Sequence, residues 1–269
     1  MVRLLVVAAF LLSTSSVLAD VPVTGRSQHM LFSRAAVQAA ASKAYHQKLV
    51  HFASLHELDN DKATLERVRR ISSRLIAQAV FLKPEAADWP WEVHITSDPE
   101  VAAFSMAGGK LLVGTHFIQA YHLNDDELGV VLAHEIGHVI AEHVREQISM
   151  AAEFDPPPPG RTLKVADVIN EMNSDIAVYL QLMPLSRLQE TEADDIGVEL
   201  AARSGIPPVE IKRFYAKITR AGTRQSLFDT HGSSRQRAAF ASSMANYAEP
   251  EYEASLKSRL PDYVFGSNF

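Results

Sequence analysis

The stretch Asn124-Asp125-Asp126-Glu127-Leu128-Gly129-Val130-Val131-Leu132-Ala133-His134-Glu135-Ile136-Gly137-His138-Val139-Ile140 decides how the rest of the chain is read. Asn124 is a good N-cap, and Glu127 three residues on completes a capping box, each side chain accepting an N–H that the helix start leaves over. The spacing predicts a helix from about Asp125 to about Ser149. Val130, Val131, Leu132, Ile136, Val139 and Ile140 make it a buried one. Within it His134-Glu135-Ile136-Gly137-His138 fits H-E-x-x-H. Residues four apart share a helix face, so both imidazoles can meet one metal ion. Glu135 lies about 100° further round, beside the metal, where it can take a proton from an attacking water. An unpaired buried polar group costs roughly 1–3 kcal/mol, and a metal ion satisfies these at once.

A catalytic zinc site wants a third protein ligand. The metzincin solution would place a histidine six residues after His138, where this chain has Val144. His143 is one residue short and points off the face, which favours a place behind a ligand or in solvent over one as a ligand itself. The other solution is a carboxylate from a later helix. In Ser186-Arg187-Leu188-Gln189-Glu190-Thr191-Glu192-Ala193-Asp194, Glu190 and Asp194 stand at i and i+4 on one face. Glu190 can bind the metal while Asp194 accepts the ring N–H of a ligating histidine, and Glu192 projects elsewhere.

Outward from this motif the chain reads as α+β and predominantly helical. Two helices are expected within residues 27–83, one along Ala35 to Leu58 and one through Leu65, Val68, Ile71, Leu75 and Ile76, closed before Pro84. Trp91–Ile95 and Ala102–Met106 alternate like strands, and Gly108-Gly109 before Lys110–Thr115 is a hairpin signal. Pro156–Gly160 is expected as an exposed loop between helices. Further helices are expected over Thr162–Leu182, over Ser186–Ser204 before Gly205, and after Pro207-Pro208. With no repeat and no long linker, residues 20–269 read as a single domain: N-terminal helices over about 27–83, a core over about 84–240 and a short C-terminal extension.

Met1–Ala19 has the form of a secretory signal peptide, with Arg3, an apolar run Leu4–Leu12 and small residues before a cut ahead of Asp20. The apolar run is shorter than the ~20 residues a bilayer span needs, so an exported, most simply periplasmic, product with no transmembrane segment in the mature chain is expected. The 269 residues include no cysteine, which removes thiol nucleophiles and Cys-ligated zinc. A net charge of −6 argues against nucleic-acid binding.

Several stretches together resemble the zinc metallopeptidase family of the CAAX prenyl proteases, the HtpX-like heat-shock proteases and the periplasmic BepA-like chaperone-proteases. They are His134–Val139 with His143, Ser186-Arg187 followed by Glu190-x-x-Ala193-Asp194, and Phe228-Asp229-Thr230-His231 with Arg237. Phe104 and Gly108-Gly109-Lys110 resemble the family's strand and turn before the active helix. The resemblance implies a zincin-like (gluzincin) domain with a small antiparallel-edged sheet. It implies one Zn2+ bound by His134, His138 and Glu190, with Glu135 as general base and Asp194 as a catalytic or orienting acid. His231 is placed near the metal, assisting the oxyanion or regulating access. It leads one to expect a metalloendopeptidase acting on exported, misfolded or unassembled polypeptides, with room for envelope or outer-membrane-assembly partners. The alternative is a zinc-stabilised periplasmic chaperone or adaptor with latent or absent proteolysis.

Overall fold

The computed structural model describes residues 17–154, 163–174, 176–221, 234–258 and 261–265. Strands β3 (Glu92–Thr96), β4 (Ala103–Met106) and β5 (Lys110–Gly114) form a sheet in the order β3-β5-β4. β3 runs parallel to β5, and β4 pairs antiparallel with it from Ala103↔Val113 to Met106↔Lys110. The hairpin between β4 and β5 turns on Gly108 and Gly109, whose φ angles of +82° and +80° suit residues without a Cβ. Alternation along β3 buries Val93 and Ile95, and β5 is buried throughout.

Helix α1 (Arg34–Ser54) starts at Ser33, whose side chain accepts from the Ala36 N–H, and α2 (Lys62–Leu82) starts at Asp61 in the same manner with Thr64. After a short α3 (Thr115–Ala120), α4 (Asp125–Ile140) opens with the capping box expected of Asn124 and Glu127. It is followed by α5 (His143–Phe154), α6 (Val165–Ser174), α7 (Ile176–Arg203), α8 (Pro208–Ala221) and α9 (Ser234–Ser255). The largest core cluster packs α4 between α2, the sheet, α7 and α8, through residues such as Ile76, Val93, Leu132, Ile136, Ile196 and Phe214. A second cluster joins α1, α5 and α6 through Val37, Ile148 and Val168. α4 and α7 approach closely at Gly137, where an added Cβ would come within 2.9 Å of the Ala193 carbonyl oxygen. That approach brings the later acidic motif to the H-E-x-x-H face.

Three boundaries differ from expectation. The helix expected from Asp125 to Ser149 is broken at Ala141-Glu142, where Glu142 has φ +54°. Charges from two distant elements, Arg34 and Lys83, favour the break. The buried Glu142 carboxylate meets Arg34 at 2.6 Å and Lys83 at 3.0 Å, partners that helical periodicity cannot register, beside the local Arg145 at 3.0 Å. The helices expected over Thr162–Leu182 and Ser186–Ser204 are instead α6 and a long α7 that continues through Pro184. The proline forfeits one helical hydrogen bond, but Leu182 and Leu185 on either side are buried and tie the stretch into the protein. Ser27–Met30, grouped with the N-terminal helices by composition, is strand β2, paired antiparallel with β1 (Val17–Asp20). The last three residues of the expected leader thus lie in β1. The Pro156–Gly160 stretch lies outside the described residues. No helix among the described residues is long and apolar enough to cross a membrane.

Candidate metal centre

His134 and His138 project from one face of α4, and Glu190 reaches them from α7. His134 Nε2 and His138 Nε2 are 3.1 Å apart; Glu190 Oε2 is 3.3 Å from the first and its Oε1 is 3.4 Å from the second. The ligand atoms of all three lie within 4.8 Å of one another. Two imidazoles and a carboxylate are the donor set of a tetrahedral zinc site with one position left over, so the residues fit such an ion. Burial, with His134 and His143 alongside, holds the His138 imidazole down at about 4 against the pull of Glu190. The ring is therefore neutral at pH 7, the form in which histidine binds metal. Glu135 is 1% exposed, on the next position of the helix.

Each imidazole is braced from behind. His134 Nδ1 lies 3.0 Å from Asp194 Oδ1, the pairing the i, i+4 spacing from Glu190 anticipated. The same oxygen accepts from the Tyr215 hydroxyl of α8 at 3.0 Å. His138 is braced through His143: the two Nδ1 atoms are 2.8 Å apart, and His143 Nε2 lies 3.3 Å from Glu192 Oε2. His143 is 1% exposed, so of the places open to it from sequence it takes the one behind a ligand. In an unbroken helix it would sit about 140° round from His138. The break at Ala141-Glu142 turns it back.

Glu192 points away from the metal, towards His143 and Arg26. Arg26 Nε donates to Glu192 Oε1 at 2.6 Å and Nη2 to Oε2 at 2.9 Å, while the other side of the guanidinium holds Glu146. Burial alone would raise the Glu192 carboxyl, but its bonds from His143 and Arg26 prevail and hold it down at about 2. Sequence reasoning missed Arg26 and Tyr215. Neither is local to the motif: Tyr215 is 21 residues from Asp194 and Arg26 is 166 from Glu192, so no spacing could have signalled them. The family-like Phe228–His231 stretch, and with it His231, lies outside the described residues.

Comparison with known proteins finds metalloproteases among the relatives. The chain is 30% identical over 183 residues to the mitochondrial metalloendopeptidase OMA1 of Saccharomyces cerevisiae, covering 64% of this chain and 52% of that protein. It is 27% identical over 192 residues to the metalloprotease LoiP of Escherichia coli, covering 68% of this chain and 73% of LoiP. It is also 24% identical over 224 residues to the beta-barrel assembly-enhancing protease of Yersinia pestis, 76% of this chain and 43% of that one. The chain thus spans about half the length of the yeast relative. The profile of peptidase family M48 matches residues 62–245, a span that contains α4, the three converging side chains and both braces up to Glu192, and the chain belongs to that family.

Proposed function

We propose that the chain is a zinc-dependent endopeptidase hydrolysing peptide bonds in exported polypeptides, misfolded or unassembled ones among them, as part of quality control in the cell envelope. The observation that carries this reading is the convergence of His134, His138 and Glu190 beside the buried Glu135. The metalloprotease names of the relatives support the reaction type. The leader-like residues 1–19 support export to the periplasm, and the name of the Yersinia relative supports a link to β-barrel assembly. Residues 20–269 would act as one metallopeptidase domain.

A zinc ion held by His134, His138 and Glu190 would supply a Lewis acid that makes water acidic at neutral pH and favours charge on the carbonyl oxygen. Glu135 takes the proton of the attacking water and hands it to the leaving amine. Asp194 keeps the His134 proton on Nδ1, so that Nε2 offers its lone pair. His231 assists the oxyanion or regulates access. β4 forms one edge of the three-stranded sheet beside α4, and an extended substrate can add to it by main-chain hydrogen bonds, which tolerate many sequences.

The test is purified Glu135→Gln against wild type on casein or a denatured outer-membrane protein. The variant should bind zinc as the wild type does and lose about 10²–10⁴-fold in cleavage. Equal cleavage by the two proteins ends the peptidase reading.

A further inference from the structure

The match to the family begins at residue 62, yet the brace behind His138 ends well before it, on Arg26. We propose that Arg26, in the hairpin between β1 and β2, is a positioning residue of the metal centre, holding the His138 imidazole in its metal-binding tautomer and orientation through Glu192 and His143. The inference rests on the metallopeptidase reading and concerns how that centre is built.

The hydrogen bonds leave one consistent proton assignment. His138 Nε2 faces His134 Nε2 and Glu190 Oε1, so it is the nitrogen offered to a metal, and the ring proton belongs on Nδ1. That proton points 2.8 Å to His143 Nδ1, which must accept; the His143 proton then sits on Nε2 and is directed at Glu192 Oε2. The sequence of donors ends on a carboxylate, and Arg26 keeps that carboxylate in place with two bonds from one guanidinium. Its remaining side grips Glu146, itself held by Gln28 of β2 and Gln189 of α7, at 2.9 and 2.7 Å. The Arg26 carbonyl accepts from the Val21 N–H at 2.8 Å, which fixes the loop that carries it. Arg26 follows the cut expected before Asp20, so removal of the leader would take Val17–Ala19 of β1 but keep Arg26 and its bond with Val21. Without its guanidinium, Glu192 and Glu146 share no cation, and Glu192 is freed from its place behind His143. His143 can then present the wrong nitrogen to His138. A lysine brings the charge but not the fork that spans two carboxylates.

The experiment uses the full chain. Zinc affinity is measured by competition with a chromophoric chelator, and the d–d spectrum is recorded with Co2+ in place of zinc, for wild type, Arg26→Gln, Arg26→Lys and Ser27→Ala. Arg26→Gln should weaken zinc binding by about 10–100-fold and change the cobalt spectrum, with Arg26→Lys between it and wild type. Ser27→Ala removes only an exposed bond to Asp20 and should match the wild type. In a His143→Phe background Arg26→Gln should have no further effect, because the influence passes through His143. A purely structural arginine would lower the melting point of the metal-free chain and leave zinc affinity and cobalt spectrum at wild-type values. That result, or equal losses with and without His143, overturns the proposal. If Arg26→Gln does not fold, wild-type affinity in Arg26→Lys overturns it. A wild type that binds no zinc brings down the metallopeptidase reading itself, whereas unchanged Arg26 variants of a zinc-binding wild type bring down this inference alone.

Discussion

His134 and His138 stand one turn apart on the same helix, yet they are braced in different ways. Behind His134 the brace is one side chain deep: Asp194, carried one turn beyond the third ligand candidate on α7 and steadied by Tyr215. Behind His138 it is three deep, running through His143 and Glu192 to a hairpin near the start of the chain. The short brace comes with the ligand helix, so the packing that delivers Glu190 also delivers Asp194. The long one depends on a break in the helix, on a half-buried ion pair and on a turn outside the family match. One centre can thus combine a part that travels with its motif and a part that the surrounding protein must complete.

The comparison can be broken at several points. Glu190→Ala removes a ligand and leaves both braces in place; zinc retained after dialysis, measured by metal analysis, should fall to background. Retention at the wild-type level would show that the braced histidines hold the ion without α7. Asp194→Asn cuts the short brace and should weaken zinc binding by about 10–100-fold in a competition titration, while Tyr215→Phe, which removes one bond to the same oxygen, should cost only a few-fold. A Tyr215→Phe loss as large as that of Asp194→Asn would mean that the short brace is two links deep after all.

The smallest effect at the metal is expected from Glu142, which holds the break that turns His143 back. Burial alone would raise this carboxyl, but Arg34 and Lys83 hold it down at about 2, against 4.5 for the free group. As pH falls, the unfolded chain therefore takes up this proton first. The stabilisation is complete above about pH 4.5 and is lost as pH drops through about 2. Glu142→Gln should lower stability by roughly 1–3 kcal/mol at pH 7 in urea melts, and its deficit should shrink steadily through that window. A deficit that is the same at pH 7 and pH 3 would separate Glu142 from the acid sensitivity of the fold.

What was legible beforehand was local. The capping box at Asn124, the histidines four apart and the Glu190–Asp194 spacing are patterns within one or two helical turns, and the Gly108-Gly109 hairpin is a turn of three residues. The misreadings have two causes. The break at Glu142 and the passage of α7 through Pro184 depend on groups remote in the chain, which outweigh local propensity, and Ser27–Met30 pairs in a hairpin with residues that sequence reading gave largely to the leader.

Spacing was thus enough to pick out three side chains that the fold brings together, because a helix turns every residue through a known angle and polar groups on an apolar face need a partner. Beyond Asp194, only the folded protein could say what stands behind them. Hydrogen bonds between side chains far apart in sequence are set by how helices, sheet and hairpin pack together. Arg26, Tyr215 and the turned-back His143 take their places from that packing.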